Sequence, residues 1–176
     1  PESVGIGGAI PDDVESYFEA ILTEGTAAMN TADGWVGSLT SFDGGAGYWV
    51  IVEEDLSFSY SIDSGLGRTA TNKYVETLPI GSEFKVLQSS EQAFYFVDQV
   101  ELLDGAIENG DWLLSYNDNV LTGVRQWQGT TIDVPAMGKA YNIKGELIAG
   151  TEDYFGYGDV PTFKLLKESS DELISL

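Results

Sequence analysis

Carboxylates are the one abundant chemical resource of this chain: 29 Asp and Glu stand against 8 Lys and Arg, with no His and no Cys. The missing His removes the commonest general base and any Ser-His-Asp arrangement. The missing Cys removes thiol nucleophiles, thiolate zinc clusters and disulfides. Two acids facing each other across a cleft could still hydrolyse a glycosidic bond, one of them held protonated. Asp98 and Glu101 fall near a strand end, and Asp111 and Asp118 bracket the run from Trp112 to Tyr116. With so many acids, chance proximity is expected, and a turn cap or a solvated strand position is the plainer reading of each. No catalytic residue is assigned, and the chain is read as non-enzymatic.

A hard cation makes better use of carboxylates, since calcium wants several oxygens from side chains and loop carbonyls. The candidate ligands are Asp118 and Asn119 in the turn Asn117-Asp118-Asn119, Asp153 with Asp159, and Asp63. None has EF-hand spacing, and Asp and Asn in turns commonly accept their own backbone N–H groups. A structural calcium ion is the one cofactor this chemistry admits; none is required. The Gly-rich runs 5–8 and 44–47 lack the Lys-Ser/Thr of a phosphate loop and read as tight turns.

Aromatic side chains offer a different chemistry, a flat face on which a sugar ring can stack. Tyr154, Phe155 and Tyr157, between Gly150 and Gly158, are the expected exposed contact cluster, with a hydrophobic plug as the competing reading. Trp35, Trp49, Trp112 and Trp127 lie in strand patterns and are each expected to bury one face.

The formal net charge of −21 bears on partners. It repels phosphate backbones and anionic lipid headgroups, and no basic stripe interleaves with the aromatics, so neither nucleic acid nor a membrane is an expected partner. The longest apolar runs are far too short to span a bilayer. Self-repulsion opposes folding, and salt screens it. The melting temperature is therefore expected to rise from low to marine salt, and a flat profile would count against this.

The elements that must position these residues read as mainly β. An antiparallel β-sandwich or Greek-key-like fold is expected, with one N-terminal amphipathic helix. That helix is predicted over residues 12–25, capped by Asp12 with Glu15 at the third position. Val14, Tyr17, Phe18, Ile21 and Leu22 share its face, and Gly25 ends it. Strands are predicted over 34–40, 48–52, 56–62, 83–87 and 92–103. A hairpin of 112–116 with 121–127 follows, then a terminal strand over 161–167. Pro135 reads as a break and 168–176 as a tail or a poorly anchored extra element. The pattern-free stretch 63–73 suggests two parts, 1–67 and 68–176, or one continuous domain.

Two stretches carry a likeness. GWVGSLTSFDGGAGYWV, residues 34–50, resembles repeated modules of large secreted or surface proteins of marine bacteria. QAFYFVDQVELLDGAIENGDWLLSYNDNVLTGVRQW, residues 92–127, together with 133–138 and 158–166, resembles β-rich modules of such proteins and of marine phage structural proteins. The resemblance implies an accessory role in adhesion, surface display or particle assembly, extracellular, at the cell surface or in a virion, without defined catalytic residues. The start at Pro1 is read as that of a fragment or processed product. Expected partners are other modules of the same polypeptide, a second copy in a homo-oligomer, or a surface glycan. The leading expectation is a non-catalytic structural or adhesion module. A carbohydrate-binding module is the alternative, and an acid-pair glycoside hydrolase comes last.

Overall fold

The computed structural model describes residues 3–58, 75–77, 84–142 and 144–176, the backbone alone for 75–77. The protein is mainly β, and all its named strands pair antiparallel. It divides into two compact units, Pro1–Asn72 and Lys73–Leu176. The expected division after residue 67, Asp63, and most of the predicted strand over 56–62 lie outside the described residues. Leu56 and Phe58 pack against the first core but belong to no strand.

The first unit runs β1 (Val4–Gly5), α1 (Ile6–Ala9), α2 (Asp12–Glu15), β2 (Phe18–Thr23), β3 (Thr26–Thr31), β4 (Gly34–Gly37), β5 (Ser41–Phe42) and β6 (Trp49–Val52). Its main sheet has the order β4-β3-β2-β6, and β1 pairs with β5. The long helix expected over 12–25 is replaced by a single turn, α2, and a β-hairpin. Pro11, not Asp12, stands at the cap position, with no side-chain cap bond. Thr23 pairs with Thr26 across the two-residue turn Glu24-Gly25, where Gly25 takes φ 75°. The helical spacing was mimicked by a bulge: pairing with β6 shifts between Phe18 and Ala20, so Phe18 and Ile21, three apart, both become buried. An extra residue in a strand changes its inward phase, and tertiary pairing then overrides weak helix propensity. Glu15 is tied to the sheet: Trp35 Nε1 donates to its Oε1 at 2.7 Å, and Asn30 Nδ2 donates to its carbonyl at 3.0 Å.

The second unit runs β7 (Val75–Thr77), β8 (Lys85–Leu87), β9 (Gln92–Val97), β10 (Trp112–Asn117), β11 (Val120–Gln126), β12 (Ile132–Met137), β13 (Thr162–Leu166) and β14 (Leu173–Ser175). Its main sheet has the order β11-β10-β13-β14. The central strand β10 is buried on both faces, as its near-continuous apolar run requires. On one side Trp112, Leu114, Tyr116, Val124 and Leu166 pack with Val86, Met137 and Tyr154. On the other, Leu113 and Leu165 pack with Ile132 and Val134 of the β9–β12 ribbon, giving a sandwich-like arrangement.

Two expectations fail in this unit. β12 runs straight through Pro135, which pairs with Phe94. Proline is tolerated because among the described residues β12 has a ladder with β9 alone, and the Pro135 carbonyl accepts the Ser115 hydroxyl at 2.6 Å. Of the two readings of 168–176, the extra element is the one found: β14 pairs with β13 through Leu165 and Ile174. β9 also ends at Val97 rather than near Leu103.

Candidate functional site

The segment after β12 and the loop before β13 are bonded to each other at several points. Thr151, fully buried, holds the loop base: its hydroxyl donates to the Ile148 carbonyl at 2.8 Å and accepts the Ala140 N–H at 3.1 Å. Tyr154 is the anchor. It is 3 % exposed, and its Oη accepts the Leu87 N–H at 2.8 Å. Burial raises its phenol pKa above the ordinary value, partly offset by that bond. The expectation of an exposed Tyr154 is therefore corrected; its ring belongs to the core, as the plug reading had it.

Phe155 and Tyr157 behave differently. Phe155 is half-buried and bridges to Gly138, its carbonyl accepting the Lys139 N–H at 3.0 Å. Tyr157 is fully exposed, at 110 % of the reference area. It sits at the corner of a turn in which the Gly156 carbonyl accepts the Asp159 N–H, and Gly158 takes φ 89°. Positive φ at the third position is what such a turn demands, and glycine supplies it. Asp159 Oδ2 accepts the Gly156 N–H at 2.8 Å, which locks the turn.

Between these segments and β9 lies an open cleft of ≈ 470 Å³ whose lining includes Tyr95, Lys139, Tyr141, Phe155, Tyr157 and Asp159. Gly138 forms part of its lining, and a Cβ there would stand 3.0 Å from the Glu91 carbonyl and 3.2 Å from that of Phe155. Tyr95 is steadied by an edge-on contact with Phe163, ring centroids 5.2 Å apart. Tyr95, Lys139 and Tyr141 were missed from sequence. Tyr95 reads as one more alternating strand residue, and Tyr141 as the residue before a turn.

The calcium candidates do not converge. Asp118 and Asn119 form the two-residue loop of the β10–β11 hairpin, with Asp118 at φ 51°. Asn117 Nδ2 donates to the Asp153 carbonyl at 3.0 Å, so the neighbouring loops touch. Asp159 is engaged in its own turn. Among the described residues no group of three or more acids could hold a metal ion.

Of the acids considered for a catalytic pair, Asp98 accepts the Thr131 hydroxyl at 2.9 Å. Asp111 is buried against Lys167 and two backbone N–H groups. Burial raises its pKa, but the bonds from Glu108, Lys167 and Glu168 together with the Lys167 charge lower it further, and the net shift is downward. A general acid needs the opposite shift.

In the first unit, the Gly-rich runs line a cavity of ≈ 620 Å³ walled by Phe18, Phe42, Tyr48 and Phe58. No Lys or Arg is among its described lining residues. No helix among the described residues is long and apolar enough to cross a membrane. Trp49, expected to bury a face, is 51 % exposed on β6, which among the described residues stands at the edge of its sheet. Comparison with protein families, curated proteins and solved structures finds no match.

Proposed function

We propose that the chain is a non-catalytic structural or adhesion module of an extracellular or cell-surface assembly, with a virion as the alternative setting. In this reading it meets a second copy of itself through β6. One observation carries it. In a protein with net charge −21, β6 is a charge-free apolar strand with Trp49, Val50, Ile51 and Val52 all exposed, at 51, 42, 46 and 36 %. Among the described residues β6 has β2 as its sole ladder partner, and a bare apolar edge is a template for another strand. On the sheet face away from the core, cross-strand pairing sets Ile51 beside Ala20, Met29 and Val36, which extends the apolar surface.

Charge selects the partner's orientation. Antiparallel pairing about a two-fold axis between Val50 and Ile51 sets Trp49 opposite Val52. Glu53, Glu54 and Asp55 then lie opposite Tyr48, Gly47 and Ala46. A parallel in-register pair would stack the acids on themselves.

Light scattering in marine salt is expected to show a concentration-dependent dimer, lost on Ile51→Lys with the melting temperature unchanged. A species that stays monomeric at high protein concentration and high salt would overturn the self-pairing.

A further inference from the structure

We propose that the cleft of the second unit binds a neutral oligosaccharide. Four aromatic side chains from three separate segments meet there: Tyr95 of β9, Tyr141 after β12, and Phe155 with Tyr157 of the following loop. Three of them keep large areas in water, Tyr95 at 37 %, Tyr141 at 52 % and Tyr157 at 110 %. A folded chain gains nothing from leaving three tyrosines on one concave surface, whereas a ligand with an apolar face does. A pyranose ring has such a face, and its hydroxyls need donors and acceptors at the rim. Lys139, Glu91 and Asp159 are among the lining residues and carry both kinds of group.

Size and charge narrow the class. The volume of ≈ 470 Å³ falls within the roughly 300–1,000 Å³ of small-ligand sites. One cation against two acids in the cleft, inside a field of net charge −21, disfavours phosphorylated, sulfated or uronate-rich ligands. The platform is also preformed. The Asp159–Gly156 bonds fix the turn that carries Tyr157, the bridge to Gly138 fixes the backbone of Phe155, and the Phe163 ring packs edge-on against Tyr95. A backbone already in place loses little freedom on binding.

The inference is independent of self-pairing through β6, which lies in the other unit. The test is titration calorimetry of the full chain against hexasaccharides of β-1,4-linked glucose, mannose and xylose, with alginate hexamer as the acidic comparison. At least one neutral hexamer is expected to bind at millimolar affinity or better. Tyr157→Ala and Tyr141→Ala should each weaken it tenfold or more without lowering the melting temperature, and Ile51→Lys should leave it unchanged. No binding of any neutral sugar, binding of alginate alone, or binding indifferent to both tyrosine variants would each overturn the proposal.

Discussion

Gly123→Ala is expected to cost the second unit most of its stability. Strand β12 passes over β11 at this position so closely that a Cβ would stand 1.7 Å from the Pro135 carbonyl oxygen and 2.7 Å from Ser115 Oγ. Neither neighbour is a flexible tip. The Pro135 carbonyl is backbone, and Ser115 is held by its bond to that carbonyl at 2.6 Å and by the Thr122 hydroxyl at 3.0 Å, all of it buried. A methyl group must push β12 off the sheet, breaking the Ser115 bond and straining the Arg125–Asp133 ion pair two residues along, 3.0 Å long with Asp133 fully buried. Overpacking costs about 1–3 kcal/mol, and each buried polar group left unpaired about as much again. A loss of about 4 kcal/mol approaches the whole stability of a small domain. At about 4–8 °C per kcal/mol, the melting temperature by circular dichroism should fall by about 20 °C. Gly47→Ala, at a position with open space around it, should change stability by less than about 0.5 kcal/mol. A Gly123→Ala protein that melts within a few degrees of the parent would show that the two strands can separate there without loss.

Such close approaches are invisible in a linear sequence, and they mark where the reading of this fold stopped. The β10–β11 hairpin was legible because Asn117-Asp118-Asn119 separates two apolar runs and turn chemistry is local. β2 was not legible, because a one-residue bulge gave Phe18 and Ile21 a spacing that belongs to helices. Pro135 looked like a break because it lacks an N–H, but that matters only in a strand with partners on both sides, and among the described residues β12 pairs with β9 alone. The site divided in the same way. Glycines around Tyr157 signalled a turn that would expose it, and it is exposed. Tyr154, in the same run, points the other way, because its hydroxyl has a long-range partner, the Leu87 N–H, 67 residues away. Tyr95 and Tyr141 join Tyr157 only through the β9–β12 pairing and the bridge from Gly138 to Phe155, neither of which has a local signature.

Asp111→Ala is the second change expected to be severe, and its effect should depend on pH in a defined direction. The carboxylate is 2 % exposed and joins two segments: Oδ2 accepts the Glu108 N–H and the Lys167 ammonium, each at 2.9 Å, and Oδ1 accepts the Glu168 N–H at 3.1 Å. Removing it leaves two backbone donors and a largely buried ammonium without that partner, a class of change that costs about 3–5 kcal/mol. Asparagine would not rescue the site, since either amide orientation turns an NH₂ group toward a donor already there. The pKa of Asp111 is lowered from its ordinary value of 3.8, so its stabilising contribution is complete above that value. It is lost as the pH falls through the lower, folded-state value. Acid also relieves the repulsion among the other carboxylates, so a single stability curve mixes two opposing trends. The difference between parent and Asp111→Ala removes the shared trend. By urea unfolding, that difference should hold steady from neutral pH down to about pH 4, then close as Asp111 protonates in the folded parent. A gap that widens toward acid, or persists unchanged to pH 2, would mean that this carboxylate is not the charged clasp between the 108–111 turn and the end of β13.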